Sequence, residues 1–258
     1  MNRYRAVLTG ASGGIGREIA VALAPCCDEL LLVGRNAERL AETAAAAGPC
    51  ARTLVADLAT PQGRDAAVLP GINLLIHNAG AGEFAWLESQ GDAALERIVA
   101  TNVLAPMQLT RRLLPELRRA PEAWIVNVGS IMGYLGYPGH AAYCASKFAL
   151  RGFGEALRRE LADSTVRVLY LAPRATRTAM NGAGVRALNA ELGVAMDEPA
   201  AVARELLALL RRPARERLLG MPEKLFARLN QILPGLVDRA LLRQLATIRR
   251  HASQGGVK

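Results

Sequence analysis

Residues 4–16 read Tyr-Arg-Ala-Val-Leu-Thr-Gly-Ala-Ser-Gly-Gly-Ile-Gly, an apolar strand pattern followed directly by a glycine-rich turn. A helical pattern begins near Gly14, so the turn joins a strand to a helix. Glycine lets the backbone approach a ligand closely, and the free N–H groups at a helix start bind anions. The turn's position between the first strand and the first helix therefore predicts a pyrophosphate site. The residues expected to form it are Gly10, Ser12, Gly13, Gly14, Ile15 and Gly16.

The rest of the chain continues to alternate strand and helix. Strands are predicted at Tyr4–Thr9, Glu29–Val33, Ala51–Ala56, Ile72–Ile76, Trp124–Val128, Val166–Leu171 and Arg217–Leu219. Helices are predicted at Gly14–Leu23, Asn36–Ala47, Asp92–Gln108, Leu109–Arg118, Tyr143–Ala162 and Pro199–Leu210. Apolar strands that alternate with helices form a parallel sheet covered on both faces. The predicted fold class is α/β, a doubly wound Rossmann-type sheet over residues 1–220 in a single domain, with a helical extension over residues 221–258.

Composition bounds the class of protein. The chain has 258 residues, of which 51% are hydrophobic, so one large α/β domain or two small ones are expected, with a sizeable core. Its start lacks the pattern of a secretory signal, and no apolar run approaches the roughly 20 residues of a membrane-spanning helix. The four cysteines show no C-x-x-C or zinc spacing, so we expect no metal site and a cytoplasmic protein with reduced thiols.

The residue after the second strand bears on which dinucleotide is bound. Proteins that bind NAD usually have an acidic residue there, which accepts hydrogen bonds from the ribose hydroxyls. Gly34 removes that carboxylate, and Arg35 offers a planar guanidinium that suits the 2′-phosphate of NADP. We therefore predict that NADP(H) is preferred, with NAD(H) as the alternative. Arg35 has the alternative role of a solvated charge at the start of the next helix.

Two further strand ends are expected to contact the cofactor. Asp57 and Leu58 follow the third strand, where Asp57 would bind the adenine amino group or, alternatively, cap a turn. Asn78, Ala79 and Gly80 end the fourth strand, and these small residues allow the cofactor to lie close. The alternative role of Asn78 is to tie neighbouring strands together.

A hydroxyl, a phenol and an ammonium are expected to meet at one point. Ser130 closes the apolar run Ile-Val-Asn-Val-Gly-Ser, and Tyr143 and Lys147 lie in the run Tyr-Cys-Ala-Ser-Lys. Residues four apart on a helix share a face, and a strand that ends at Ser130 can bring its hydroxyl beside them. Such a trio can move a proton on or off an oxygen. Together with a dinucleotide turn, it predicts an oxidoreductase.

These motifs, with the Asn of Thr-Asn-Val at 102, resemble the short-chain dehydrogenase/reductase superfamily over about residues 4–220. The resemblance implies a catalytic group of Asn102, Ser130, Tyr143 and Lys147. It implies that Tyr143 is the general acid in reduction and the general base in oxidation, with its pKa lowered by Lys147. It also implies that Ser130 holds the substrate oxygen, that Lys147 bonds the nicotinamide ribose, and that Asn102 holds a water linking Lys147 to solvent.

The stretch after the sixth strand departs from the family pattern of Pro-Gly with a following Thr. It reads Pro173-Arg174-Ala-Thr-Arg-Thr, with Thr178 in register to bind the nicotinamide carboxamide. Pro173 and Thr176 are also expected to line the cofactor. Because Arg174 replaces a glycine, the local turn is expected to differ. Arg174 and Arg177 are either an anion site or two solvated charges on a loop.

Apolar residues surround the expected site. A lid is expected from about Ala179 to Glu198, and the residues assigned to the substrate pocket are Met132, Leu135, Tyr137 and Met180. Methionine and leucine walls suit a lipid-like carbonyl, such as a 3-oxoacyl chain, a steroid-like molecule or a ketone, better than a sugar. The alternative is that these residues fill the core.

The end of the chain is basic. Residues 212–258 hold ten Lys and Arg against three Asp and Glu, which accounts for most of the net charge of +9. Because the rest of the chain is nearly neutral, no nucleic-acid partner is expected. Two apolar helical stripes, 225–233 and 236–248, flank Pro234-Gly235. These helices would make a peripheral contact with an anionic membrane, or would pack on their own domain or on a second subunit.

The predicted function is transfer of a hydride between NADP(H) and a carbonyl or secondary alcohol. An isomerase, epimerase or dehydratase with the same Tyr/Lys pair is one alternative, although such relatives usually have a longer C-terminal substrate domain. A non-catalytic NADP(H) sensor is another, although sensors tend to lose the Tyr or the Lys. The resemblance also implies a homodimer or homotetramer that forms through the helices of Asp92–Arg118 and Tyr143–Ala162.

Overall fold

A computed structural model describes residues 3–253, and the elements of this part of the chain follow. The strands are β1 (Tyr4–Thr9), β2 (Cys27–Gly34), β3 (Ala51–Val55), β4 (Leu74–His77), β5 (Ala123–Val128), β6 (Val166–Ala172) and β7 (Glu216–Leu218). The helices are α1 (Gly14–Leu23), α2 (Ala37–Ala47), α3 (Pro61–Ala66), α4 (Asp92–Val99), α5 (Ala105–Arg119), α6 (Ala141–Glu160), α7 (Ala183–Glu191), α8 (Pro199–Arg211), α9 (Met221–Ile232), α10 (Pro234–Arg243) and α11 (Leu245–Ser253).

Within residues 3–253, the seven strands form one parallel sheet in the order β3-β2-β1-β4-β5-β6-β7. The predicted doubly wound fold is confirmed. The order reverses between β1 and β4, and ligands of such sheets bind in the crevice beyond the carboxyl ends of the strands at this point. The fold therefore directs the glycine-rich turn after β1 toward the end of β4.

Two apolar layers cover the sheet. One face packs on α1, α2 and α8 through a core that includes Leu8, Leu32 and Leu206. The other face packs on α5 and α6 through a core that includes Val7 and Leu113. Because both faces are buried, the central strands β4 and β5 carry buried residues at every position, which is why they appear in the sequence as continuous apolar runs.

The region from Asp92 to Arg119 differs from the prediction of two abutting helices. A π-helical turn at Ala100–Leu104 separates α4 from α5, and the N–H of Ala105 bonds to the carbonyl of Ala100. Such turns insert one extra residue into a helix and occur often at functional sites. Helical periodicity gives no sign of this insertion, because the apolar pattern continues on both sides of it.

The C-terminal segment forms three helices, α9 to α11, where two stripes were predicted. It packs on its own chain: Ala227, Val237, Ile248 and Ala252 are buried, and the Asn230 amide donates to the carbonyl of Tyr134 at 2.9 Å. The alternative of packing on the domain is thus observed. Across the part of the chain that the structure describes, no helix has the length and apolar character to cross a bilayer.

Candidate active site

The glycine-rich turn brings the ends of β1 and β4 into close contact. Gly10 has a φ of +68°, and a Cβ placed there would lie 2.6 Å from the Cα of Ala79. A Cβ on Gly16 would lie 2.1 Å from the carbonyl oxygen of Gly10, so neither position accepts a side chain. Helix α1 has Gly13 as its N-cap and no side-chain cap among the described residues. Its first N–H groups are therefore able to donate to an anion.

Asn78 fastens β4 to β1. Its side-chain amide donates to the carbonyl oxygens of Thr9 and Gly10, both at 3.1 Å, and its backbone N–H donates to the Thr9 hydroxyl at 3.0 Å. The structural role that the sequence left open is therefore observed. Gly80 follows at the crevice, where a Cβ would lie 3.7 Å from Lys147 Nζ.

Ser130, Tyr143 and Lys147 meet at the carboxyl edge of the sheet. Ser130 follows β5, and the other two lie one turn apart on α6. The Ser130 hydroxyl lies close enough to the Tyr143 phenol to act on its pKa, and Lys147 Nζ lies 5.6 Å from the centre of the Tyr143 ring. Lys147 is buried and donates to the carbonyl of Val128 at 3.3 Å. The structure thus brings together the three groups that the spacing predicted.

Burial governs the proton affinities of two of these groups. It raises the pKa of Tyr143 to about 12, while the nearby Ser130 hydroxyl acts in the opposite direction. This net direction is opposite to the lowering that we expected from Lys147, because the phenolate loses hydration on burial. Burial also lowers the pKa of Lys147 to about 8. Tyr143 consequently holds its proton at neutral pH.

Asn102 lies in the π-helical turn and anchors it. Its Oδ1 accepts from the Ala81 N–H at 2.7 Å, and its Nδ2 donates to the Ala81 carbonyl at 2.8 Å and to the Ser146 hydroxyl at 2.9 Å. Both amide hydrogens are used. The side chain therefore joins the loop after β4 to α6, which sets the position of the helix that carries Tyr143 and Lys147.

Tyr170 on β6 lies next to this group, and the sequence pattern did not predict its role. Its hydroxyl donates to the carbonyl oxygen of Lys147 at 3.4 Å and lies near the backbone of Ser130. A Cβ on Gly129 would lie 1.9 Å from the same hydroxyl, so only glycine fits there. Because Tyr170 is one aromatic residue in a buried apolar strand, no sequence signal distinguishes it from a core residue.

Gly82, Phe84 and His140 form a wall beside Tyr143 that no sequence motif predicted. The His140 ring lies 6.1 Å from the Tyr143 ring and stacks on Phe84 at 4.8 Å. A Cβ on Gly82 would lie 3.0 Å from the Tyr143 ring. Burial lowers the pKa of His140 to about 4, so its ring is neutral at physiological pH. The wall is thus aromatic and uncharged.

The residues predicted to contact substrate divide into two pairs. Met180 is exposed on the lid, and its Cε lies 3.6 Å from where a Cβ on Gly80 would be. The Tyr137 ring lies 6.2 Å from the His140 ring, so both side chains are near the wall. Met132 instead packs against the buried cluster that contains Tyr134, and Leu135 is half-buried on the same loop.

The predicted adenine site shows capping contacts. Asp57 Oδ1 accepts from the Ala59 N–H at 2.9 Å, so the turn role is observed. Leu58 is buried in the core, and its carbonyl accepts from Arg64 Nη1 at 2.7 Å.

The end of β2 lies against the glycine-rich turn. A Cβ on Gly34 would lie 3.2 Å from the hydroxyl oxygen of Ser12, so a larger residue there would crowd the turn. Ile15, in the first turn of α1, packs against the core. Arg35 is exposed, and within the described residues it pairs with no carboxylate. Its guanidinium is therefore available to an anion.

The two threonines of the loop after β6, Thr176 and Thr178, lie in different surroundings. The carbonyl of Pro173 accepts from the Ile131 N–H at 2.9 Å, which joins this loop to the one after β5. The Thr178 Cγ2 lies 3.0 Å from where a Cβ on Gly14 would be, so it adjoins the glycine-rich turn. Thr176 is buried, and its hydroxyl donates to the carbonyl of Arg174 at 2.9 Å. Thr178 thus lies at the crevice, whereas Thr176 is turned inward.

Arg174 is ion-paired with carboxylates of its own chain. It is therefore neither an open anion site nor a solvated charge, and both of these expectations are wrong. Its Nη2 lies 2.8 Å from Asp197 Oδ1, and its Nη1 lies 3.4 Å from Glu223 Oε1, with all three side chains mostly buried. Asp197 lies near the end of the lid, and Glu223 lies on α9. Arg174 therefore joins the cofactor loop, the end of the lid and the C-terminal helices. Arg177, by contrast, forms an exposed pair with Glu198.

Arg174→Met is expected to lower the free energy of unfolding by about 2 kcal/mol, because it leaves two mostly buried carboxylates without their partner. Urea unfolding checks this. Arg177→Met is the matched control, since exposed ion pairs contribute about 0–1 kcal/mol. Equal effects of the two substitutions would contradict the assigned role of Arg174.

Comparisons with known proteins agree with this geometry. A sequence profile described as short chain dehydrogenase matches residues 5–188. The chain is 32% identical over 258 residues to dehydrogenase/reductase SDR family member 7B of Bos taurus, covering 91% of this chain and 79% of the relative. It is 36% identical over 183 residues to the uncharacterized oxidoreductase YmfI of Bacillus subtilis, covering 68% and 76% of the two chains.

Solved structures show the same architecture. A short chain dehydrogenase/reductase from Burkholderia phymatum in complex with NAD superposes with a TM-score of 0.80 at 23% identity, over 91% of this chain and 95% of that one. A short-chain dehydrogenase from Sphingobium yanoikuyae in complex with NADPH superposes with a TM-score of 0.74 at 26% identity, over 90% and 94%. By its sequence, its sheet order and the arrangement at the end of β4, the chain belongs to the short-chain dehydrogenase/reductase family.

Proposed function

We propose that this protein is an NADP(H)-dependent oxidoreductase that interconverts an apolar carbonyl compound and its secondary alcohol. The observation that carries the proposal is the meeting of the Ser130 hydroxyl, the Tyr143 phenol and the Lys147 ammonium beside the glycine-rich turn. Membership of the family supports oxidoreductase chemistry on CH–OH groups.

The residues present fit a nicotinamide cofactor, which supplies or accepts the hydride when bound. The close approach of Gly10 to Ala79 and the N–H groups at the start of α1 suit its pyrophosphate. Thr178 adjoins that turn, where it would bind the carboxamide, and Lys147 would bond the ribose. Relatives of known structure bind NAD or NADP, which supports a nicotinamide cofactor of either kind.

The chain's own groups handle the proton. In the direction of reduction, Tyr143 gives its proton to the substrate oxygen while that oxygen is held by the Ser130 hydroxyl. In the direction of oxidation, Tyr143 takes the proton back. Tyr170 bonds to the carbonyl of Lys147, and Asn102 bonds to Ser146 on α6, so both act by positioning.

The walls near Tyr143 favour an apolar substrate. The neutral His140 ring, the stacked Phe84 and the thioether of Met180 offer apolar surface and no charge beside the reacting position. We expect turnover of NADPH with 3-oxoacyl thioesters, steroid ketones or medium-chain ketones and not with sugars. A spectrophotometric screen of NADPH oxidation tests this. Absence of net oxidation with every carbonyl would instead favour an isomerase or a sensor.

The preference for NADP(H) rests on Arg35, which is exposed and unpaired within the described residues. Arg35→Gln is expected to raise the KM for NADPH by about 10–100-fold and to leave that for NADH within about twofold, because a charge-assisted bond to the 2′-phosphate is lost. Arg52→Gln, an exposed arginine on the neighbouring strand, is the control. A parallel change for both cofactors would contradict the assignment.

We also propose a cytoplasmic homodimer or homotetramer that forms through α4, α5 and α6. Val99, Leu104 and Phe148 support this, since these large apolar side chains are exposed on or between the helices concerned.

A further inference from the structure

Helices α9 and α10 bury small residues and expose large ones. Ala227 and Val237 are fully buried, and they attach the two helices to the domain. The large apolar side chains on the outside are Met221, Leu225, Phe226, Ile232, Leu233, Leu236 and Leu242, with Met221, Leu225, Ile232 and Leu242 more than 60% exposed. Single exposed apolar residues are normal, but a contiguous group marks an interaction site.

Three members of this group, Ile232, Leu233 and Leu236, lie at the corner between the two helices. Helix α9 ends at Ile232 and α10 begins at Pro234, and every residue from 232 to 236 is exposed. We call residues 232–236, Ile-Leu-Pro-Gly-Leu, the apolar corner. It lies where the chain turns from one helix into the next, and its apolar side chains face solvent. Exposed apolar side chains at such a turn are able to enter the soft apolar layer of a lipid bilayer.

Positive charge lies beside the apolar corner. Residues 221–253 hold six Lys and Arg against two Asp and Glu. Arg239 and Arg243 are exposed one turn apart on α10, and within the described residues neither forms an ion pair. Of the two acidic residues, Glu223 is bound to Arg174, which leaves Asp238 as the acidic group near the corner.

The positive charge of Arg239 and Arg243 distinguishes between two candidate partners for the apolar corner, a second copy of this chain and a lipid bilayer. A second copy of this chain on the same surface would set arginines against arginines, because a two-fold interface brings identical patches together. An anionic bilayer has the opposite charge at its surface and apolar chains beneath it. We propose that the apolar corner inserts into the surface of an anionic lipid bilayer and that Arg239 and Arg243 bind its headgroups. This inference does not depend on the proposed enzymatic function.

Flotation of the full chain with lipid vesicles tests the proposal. Binding is expected to vesicles of phosphatidylcholine with one third phosphatidylglycerol, to be weak with phosphatidylcholine alone, and to fall as salt rises. The double substitution Ile232→Asn with Leu236→Asn is expected to weaken binding by about tenfold or more. Arg239→Gln with Arg243→Gln is expected to weaken it by about tenfold or more, because each cation near such a surface contributes about 1 kcal/mol.

Matched variants at other surface positions distinguish binding through the apolar corner from nonspecific adsorption to vesicles. Val55→Asn removes an exposed apolar side chain of β3, and Arg204→Gln with Arg212→Gln removes two exposed cations at α8. Both are expected to leave binding unchanged, and all variants are expected to melt as the wild type does. Equal binding by the corner variants and the wild type, or no flotation at all, overturns the proposal. A dimer in lipid-free solution that the corner variant dissociates, without vesicle binding, assigns the corner to a second copy instead.

Discussion

Tyr143→Phe is expected to reduce kcat for NADPH-dependent reduction by at least about a thousandfold, because in the proposed mechanism the phenol gives its proton to the substrate oxygen. The substitution removes one hydroxyl and keeps the ring that contacts Gly82 and His140. Affinity for NADPH, measured by fluorescence titration, is therefore expected to change by less than about twofold. Loss of chemistry with retained binding is the result that separates a proton donor from a residue that only shapes the crevice.

Tyr4→Phe serves as the control for this substitution. Tyr4 is a half-buried tyrosine at the start of β1, and burial raises its pKa as it does that of Tyr143. It lies at the opposite end of its strand from the glycine-rich turn, so kcat is expected to remain within about twofold of wild type. Substantial turnover by Tyr143→Phe would remove the assigned role, whatever the control shows.

Lys147→Met is expected to abolish activity and, at the same time, to stabilise the fold at pH 7. Burial lowers the pKa of Lys147 to about 8 from an ordinary value of 10.5, which corresponds to a cost of about 3 kcal/mol for holding the charged form. Methionine has similar length and carries no charge. After allowance for the lost bond to Val128, the free energy of unfolding is expected to rise by about 1–3 kcal/mol at pH 7.

The stability gained by Lys147→Met is expected to decrease as pH rises. Between pH 8 and 10.5 the unfolded chain keeps a proton on Lys147 that the folded chain releases, so Lys147 destabilises the wild type less as pH rises through this window. The advantage of Lys147→Met is therefore expected to be largest at pH 7 and smaller at pH 10, as measured by urea unfolding at both values. Lys224→Met on α9 is the control, expected to change stability by less than about 0.5 kcal/mol. A destabilised Lys147→Met at pH 7 would show that burial of this ammonium is not costly.

Continuous apolar runs were sufficient to predict the sheet. Strands β4 and β5 are buried at every position, so their hydrophobicity is unbroken and the parallel sheet follows from it. The positions of Tyr143 and Lys147 also followed from sequence, because helical spacing alone places residues four apart on one face. The direction of the Tyr143 pKa did not, since it depends on how much water the folded chain excludes.

Contacts between distant residues could not be predicted. Arg174 meets Asp197 and Glu223 across 23 and 49 residues, and no local pattern pairs them. For the same reason, the stack of Phe84 on His140 was not foreseen. On α9, periodicity identified the large apolar residues but not the face that packs, because the buried residue is the small Ala227.

The π-helical turn at Ala100–Leu104 couples the arrangement of the candidate active-site residues to the packing of α5 on the sheet. Removing one residue there would rotate everything that follows on α5 by about 100°. The strands would then no longer be covered by Leu109, Leu113 and Leu117. Asn102 would lose its hydrogen bonds to Ala81 and Ser146. Changes in length should therefore be tolerated in the lid and at the C-terminus but not in this bend, and a redesign of specificity has to begin at those outer segments.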